Sequence, residues 1–291
     1  MGWLDDTASM PATAGAGEVD AAEIRRARAA RRERIARWVL PVVVMVLSIL
    51  LWDLLCVWND IPHYILPRPG LVFETLIKDW GLLSGSLLIT LKITFGALAI
   101  AIVGGVGLAI LFAWSKWVEM SFFPYAVILQ VTTIIVIAPL IFIYVDSKIA
   151  GLLICAWIVA FFPILSNTTL GLNSADHNLR NLMQLYGAST WQTLWNLRLP
   201  TSLPYFLSGL KVAGGLSLIG AVVAEFVAGT GGVGSGLAFR ILEASYRLNI
   251  PRMFAAIILI SASGILIFMA MSLISHLLLR KWHESALKRE N

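Results

Sequence analysis

Long apolar runs separated by short polar stretches dominate the chain. The six runs lie at about 38–58, 87–114, 120–145, 149–172, 205–227 and 253–279. Each is long enough to cross a membrane, because a helix needs about 20 apolar residues to span the hydrocarbon core. A chain inside that core must satisfy its own backbone hydrogen bonds, and helices do so. The pattern therefore predicts an all-α, polytopic membrane protein with six transmembrane helices.

Shorter features between the runs refine this prediction. The third run contains Pro124 and Pro139, so we expect it to be bent or partly broken. Apolar residues recur at helical spacing in Gly70–Leu83, which predicts a surface helix, and Phe239–Tyr246 predicts a short outer helix. The glycine-rich stretch Gly229–Gly236 has no lysine before a serine or threonine, so it predicts a flexible outer turn instead of a phosphate-binding loop.

Composition agrees with a membrane protein and excludes several classes of function. Hydrophobic residues make up 58% of the chain and charged residues 13%, about half the charged fraction of a soluble domain. The two cysteines both lie in apolar runs, so they predict neither a disulfide framework nor a metal site. No catalytic or metal-binding motif occurs, and we expect no cofactor in this chain and no nucleic-acid partner.

Four ionisable residues lie close to the apolar runs: Asp53, Asp146, Lys148 and Glu225. An ionisable group inside a membrane span is a functional candidate by default. All four lie near the ends of their runs, however. We therefore expect solvated or paired structural roles for them and not a proton relay.

The two tails are polar. Residues 1–37 predict a cytoplasmic tail that is disordered over 1–17 and then forms a basic helix, and 280–291 predict a second cytoplasmic tail. The basic segment fits either a helix lying on anionic lipid or a topogenic signal that keeps the N-terminus inside. With both termini inside, the inner side carries fifteen Lys and Arg residues and the outer side six, as the positive-inside rule requires.

The segment between the fourth and fifth runs predicts two short helices. Asp176 can cap the first helix, which runs towards Tyr186, and Gly187 breaks it. Ser189 or Thr190 can cap the second. We expect that second helix to end before Pro200.

Two tryptophans in this hairpin, Trp191 and Trp195, are unusual for a solvated connector. They fit a docking surface for another protein. They also fit an interfacial hairpin whose indoles lie among lipid headgroups. The residue pattern leaves both interpretations open.

The hairpin, residues 176–204, resembles the cytoplasmic EAA loop of ABC-importer permeases. Gly187 takes the place of the motif's glycine, Leu197 that of its isoleucine, and Leu199-Pro200 that of its final pair. Asn181-Leu182-Met183 stand where Glu-Ala-Ala would be. The resemblance implies contact with an ATPase subunit through Asn181, Tyr186, Gly187, Ala188, Ser189, Trp191, Trp195, Leu197, Leu199 and Pro200.

Two further motifs resemble the family's nitrate, sulfonate, taurine and bicarbonate branch. They are Leu66-Pro-Arg-Pro and Phe161-Phe-Pro-Ile followed by Asn167-Thr168. The resemblance implies the type I importer fold and import of a small polar or anionic solute. It also implies a bacterial cytoplasmic membrane, a second permease copy, two ATPase subunits that hold ATP and Mg²⁺, and a periplasmic or lipid-anchored binding protein. The alternatives are a stand-alone secondary transporter and an intramembrane enzyme or assembly factor.

Overall fold

The computed structural model describes residues 36, 39–229 and 234–280. The predictions for the N-terminal tail, the centre of the glycine-rich turn and the tail after Arg280 fall outside these residues. Every regular element within them is a helix, which confirms the all-α prediction. The chain divides into two compact units, Met1–Pro62 and His63–Asn291.

The first unit contains one long helix, α1 (Val39–Trp58). Its 20 residues correspond to roughly 30 Å of helix at 1.5 Å per residue. Most of its large apolar side chains are exposed, as is expected of a helix that faces lipid.

The second unit contains the remaining helices. They are α2 (Pro69–Lys78), α3 (Trp80–Trp114), α4 (Lys116–Val131), α5 (Ile134–Tyr144), α6 (Lys148–Asn173), α7 (His177–Leu185), α8 (Thr190–Thr193), α9 (Leu199–Ala228), α10 (Leu237–Tyr246) and α11 (Ile250–Leu279), with a π-helical turn at Leu194–Arg198. Among the described residues, five helices can each cross a membrane, and the bent pair α4–α5 can supply a sixth crossing.

Helices α6 and α9 form the centre of this unit and approach each other closely. A Cβ atom added at Gly209 would lie 2.7 Å from the carbonyl oxygen of Pro163, and one at Gly220 would lie 2.9 Å from the Cα of Ala156. Small residues are therefore required on this face of α9. Such contacts hold helices together in lipid, where the hydrophobic effect between helices is absent.

The bent third crossing was predicted correctly, but the prolines are not at the bend. The axes of α4 and α5 meet at 101°, and the break is at Thr132-Thr133, which are both extended. Pro124 and Pro139 lie inside their helices. Extended backbone at two consecutive residues ends α4 before α5 begins, whereas each proline removes a single hydrogen bond without ending its helix.

The segment before α3 also differs from its prediction. The surface helix ends at Lys78, and α3 begins at Trp80, seven residues before the predicted start of the second run at Leu87. Asp79 separates the two helices and accepts a 2.6 Å hydrogen bond from Nε of Arg252 at the start of α11. This ion pair ties the α2–α3 corner to the last helix.

Glu225, near the end of α9, is buried, with 3% of its surface exposed. Its carboxylate accepts hydrogen bonds from Oγ1 of Thr90 at 2.8 Å and from the backbone N–H of Ala238 at 3.0 Å. Thr90 in turn accepts a bond from the N–H of Leu237 at 2.9 Å. The group is therefore paired, as predicted, and it joins α3, α9 and the first turn of α10.

Substitution of Gly236 by alanine should loosen this junction. A Cβ atom at Gly236 would collide with the carboxylate of Glu225. The carboxylate would have to move off its donors, and leaving buried polar groups unsatisfied costs about 1–3 kcal/mol. We expect Gly236→Ala to lower the thermal unfolding midpoint of the purified protein. The midpoint is measured by monitoring tryptophan fluorescence during heating.

The matched control is Gly70→Ala, because nothing lies within 4 Å of a Cβ atom at that position. Equal unfolding midpoints for the two variants would show that the junction does not depend on the space beside Glu225.

Candidate functional site

The hairpin between α6 and α9 begins with a capped helix. Oδ1 of Asp176 accepts a 2.8 Å hydrogen bond from the N–H of Asn178, which satisfies one of the free donors at the start of α7. The predicted cap is confirmed. The helix then runs nine residues to Leu185.

Gly187 ends this helix in the left-handed conformation, with φ of +67°. The N–H of Gly187 donates a 3.0 Å hydrogen bond to the carbonyl of Gln184. The N–H of Ala188 donates a 2.9 Å hydrogen bond to the carbonyl of Met183. A Cβ atom at Gly187 would meet nothing within 4 Å. The glycine is therefore required by its backbone conformation and not by crowding within this chain.

Ser189 starts the second helix with a capping box. Its Oγ accepts from the N–H of Gln192 at 3.2 Å, and the Gln192 side chain accepts from the N–H of Ser189 at 2.8 Å. These two reciprocal bonds fix the first turn of α8. With the Gly187 turn, they make the hairpin a defined structure.

The predicted end of this helix before Pro200 is wrong. The chain continues from α8 through the π-helical turn into α9, so Thr190–Ala228 form one helical run of 39 residues. The N–H of Leu199 bonds to the carbonyl of Leu194, five residues earlier. Pro200 lies in the first turn of α9, where the missing N–H is tolerated, and the wider π turn removes the clash with the preceding carbonyls.

Aromatic packing fixes the hairpin to the end of α3. The ring centroids of Trp114 and Trp191 are 5.6 Å apart, and those of Trp191 and Trp195 are 5.7 Å apart. Nη1 of Arg198 donates a 2.7 Å hydrogen bond to the carbonyl of Ala113. Trp191 therefore has a role inside this chain as well as a half-exposed face.

The predicted site residues fall into two groups. Leu197, Leu199 and Pro200 are partly buried and belong to the base of the hairpin. The exposed members are Asn181, Tyr186, Gly187, Ser189, Trp191 and Trp195, and Ala188 is partly covered. Of the exposed group, Asn181 lies on α7, Tyr186, Gly187 and Ser189 lie at the turn, Trp191 lies on α8, and Trp195 lies in the π-helical turn.

Sequence reasoning missed two contributors to this site. Leu185, beside Tyr186, is 85% exposed, and Tyr186 is 82% exposed, so the tip of the hairpin is apolar and uncovered. Trp114 holds the base of the hairpin from a helix more than 70 residues away in sequence. An apolar residue two positions before the turn glycine was a usable signal for Leu185, whereas the contribution of Trp114 is a tertiary contact.

A second feature lies at the break between α4 and α5. A cavity of about 300 Å³ there is lined by Gln130, Thr132 and Thr133, with Val159 from the middle of α6 and Leu216 from α9. Backbone without helical hydrogen bonds is tolerated at membrane depth only where it lines water or is covered by protein. Thr132 and Thr133 are exposed in this chain, so at membrane depth the break would need water or another protein surface to cover it. Sequence reasoning predicted a bend in this run but not its position at these threonines or the cavity beside it.

Comparison with known proteins gives the family. Residues 101–281, which run from the middle of α3 to just beyond α11, match the family described as "Binding-protein-dependent transport system inner membrane component". This is more than half of the chain. The match includes the whole hairpin and the α4–α5 break.

Individual relatives extend the likeness over most of the chain. The formylaminopyrimidine transport permease protein ThiX of Halalkalibacterium halodurans is 31% identical over 240 residues, which cover 82% of this chain and 94% of that protein. The putative aliphatic sulfonates transport permease protein SsuC of Bacillus subtilis is 27% identical, over 85% of this chain and 89% of that protein.

A solved structure shares the fold. The crystal structure of an amino acid ABC transporter matches with a TM-score of 0.58 at 19% identity, and the match covers 72% of this chain and 98% of that chain. The family match and the relatives favour an importer permease over a stand-alone transporter or an intramembrane enzyme. This chain belongs to the family of binding-protein-dependent inner-membrane transport components and is the permease of a type I ABC importer.

Proposed function

We propose that the hairpin of this permease is the surface on which a separate ATPase subunit docks and through which ATP hydrolysis moves the pore. The observation that carries the proposal is the uncovered apolar tip at Leu185 and Tyr186 on a hairpin fixed by its own caps. Exposed aromatic and aliphatic side chains on a preorganised element are typical of a protein interface. ATP and Mg²⁺ would be held by the ATPase, and none by this chain.

The helical run from Thr190 to Ala228 suits the transmission of force. Its 39 residues correspond to roughly 58 Å at 1.5 Å per residue, which exceeds the thickness of the bilayer. A displacement of α8 would move α9 as one body. At the far end, Glu225 ties the same helix to α3 and α10, so motion at the hairpin would reach the outer junction.

Further partners complete the proposed transporter. A second copy of the permease would cover the α4–α5 break, so that the polar groups there line a path between the two copies and not lipid. One hairpin per chain fits a symmetric homodimer with two ATPase subunits. A periplasmic or lipid-anchored binding protein would deliver the solute to the outer face.

The proposed solute is small and polar or anionic. The hydroxyls of Thr132 and Thr133 and the amide of Gln130 offer hydrogen bonds at the break without a fixed charge. The relatives named for formylaminopyrimidine and aliphatic sulfonates support this class. Selection among such solutes would rest mainly with the binding protein.

The proposed location is the bacterial cytoplasmic membrane, with the hairpin and both termini inside. The excess of Lys and Arg on the side of the hairpin supports this orientation. The Trp114–Trp191–Trp195 cluster then lies at the inner headgroup level, where indoles are favoured.

Substitution of Gly187 tests the coupling role. Gly187→Ala forces an alanine into the left-handed region at a cost of about 1–2 kcal/mol. Gly187→Asn keeps that conformation accessible but adds bulk, and Gly187→Asp adds the same bulk with a charge. We expect all three variants to insert and dimerise, since the spans are unchanged, and Gly187→Asp to lose transport.

The measurement is ATP hydrolysis by the purified complex in lipid, with and without solute-loaded binding protein. Gly187→Asp should either shed the ATPase or fail to respond to the loaded binding protein, and Gly187→Asn should retain more of the response. Full stimulation and uptake in Gly187→Asp would contradict the coupling role.

Thiol labelling in intact cells tests the orientation. Both native cysteines are buried and would be replaced first. A cysteine at the exposed Asn181 should resist a membrane-impermeant reagent until the membrane is permeabilised. One at Tyr246, 81% exposed at the end of α10, should react directly. The reverse pattern would rule out the proposed topology.

A further inference from the structure

A basic cleft lies beside the base of the hairpin. It has a volume of about 750 Å³ and is lined by the end of α3, the first half of α4, the end of α6, α7 and the π-helical turn. Three cations line it, Lys116, Arg180 and Arg198, together with one carboxylate, Glu119. The cleft therefore carries an excess of positive charge.

Among the described residues, no carboxylate lies within ion-pair distance of these three cations. The ion pairs there join Arg240 and Arg247 to Glu243, and Arg252 to Asp79. None includes Lys116, Arg180 or Arg198. The charges of Arg180 and Arg198 also repel each other. Three like charges from separate elements thus line the cleft with one carboxylate, Glu119, among the described residues, and this excess of positive charge favours a bound anion.

Arg198 holds a fixed charge beside the cleft. Its Nη1 donates to the carbonyl of Ala113 at 2.7 Å, which holds the guanidinium in place. Its Nε is enclosed by protein and has no hydrogen-bond partner among the described residues. Because this N–H is enclosed, an anion in the cleft would interact with the charge of the fixed guanidinium and not with Nε.

The start of α4 adds to the positive potential. This 16-residue helix begins at Lys116, and the side chain of its N-cap residue, Ser115, makes no capping hydrogen bond. The N-terminus of a helix carries free N–H groups and the positive end of the helix dipole. Two cations and a helix N-terminus thus converge with Arg198 on one cleft.

We propose that this cleft binds a phosphate group, presented by the headgroup of an anionic lipid or by a soluble phosphate. Guanidinium and ammonium groups and free helix N–H donors are the partners that phosphate oxygens take in proteins. The exposed Trp114 and Trp117 beside Lys116 are typical of the membrane interface, where lipid headgroups lie. The proposal does not depend on the ATPase or on the transported solute.

A bound phosphate would link α4, α7 and the π-helical turn. These elements carry Lys116, Arg180 and Arg198 respectively. Neutralising their mutual repulsion would hold the hairpin against the end of α3. The position of the hairpin would then depend on the anion.

The test is binding by the purified full-length chain in detergent. Phosphatidylglycerol, phosphatidylcholine and inorganic phosphate are each added in a separate experiment. Native mass spectrometry counts the lipid molecules that the protein retains. The affinity for each added compound is obtained from the rise in the unfolding midpoint. The variants are Lys116→Gln and Arg180→Gln, which leave the bond between Arg198 and Ala113 intact. The control is Lys78→Gln, an exposed cation at the end of α2.

We expect the protein to bind phosphatidylglycerol in preference to phosphatidylcholine. Either cleft variant should weaken the affinity for phosphatidylglycerol about fivefold, because each basic residue near an anionic surface contributes about this factor. The control variant should leave this affinity unchanged. Stabilisation by inorganic phosphate alone, lost in the same variants, would identify a soluble source. No binding of either anion, or equal weakening by Lys78→Gln, would overturn the proposal. Unfolding midpoints without ligand would show that each variant is folded.

Discussion

The close approach of α6 and α9 is the contact on which the rest of the structure depends. At Gly209 and Gly220 the backbones come so near that a single added carbon would overlap the opposite helix. In lipid, helices gain little from hiding apolar surface, so close van der Waals contact over a long interface must hold them together. Since the hairpin connects these two helices, their packing also sets where the hairpin emerges and in which direction α8 points.

The helical run through α8 and α9 joins two polar regions that a bilayer would otherwise keep apart. At one end, Trp191 and Arg198 fasten the hairpin to the end of α3. At the other end, the buried carboxylate of Glu225 fastens the same run to Thr90 of α3 and to the first turn of α10. Helix α3 is thus attached to the helical run through α8 and α9 near both ends of that run. Under the proposed coupling role, a rotation or shift of the hairpin would be carried along this run to α3 and α10.

Features with a local cause could be predicted from the sequence. Asp176 and Ser189 cap helices, and Gly187 adopts positive φ, because each property belongs to that residue type at that position. Predictions that treated proline as a stop signal were less successful. Pro200 lies inside a continuing helical run because a π turn accommodates it, and the real break is at Thr132-Thr133, where no residue type forces one. The partners of Glu225 and the basic cleft depend on tertiary contacts between distant segments, which no local pattern encodes.

The claim that the hairpin tip contacts the ATPase is tested most directly by site-specific cross-linking. Leu185 would be replaced by a photo-cross-linking phenylalanine analogue in the assembled transporter in native membranes. The matched control position is Tyr144, which is 82% exposed at the far end of α5. The account predicts that illumination joins the permease to the ATPase subunit from Leu185 and not from Tyr144. An ATPase adduct absent from Leu185, or formed equally from both positions, would contradict it.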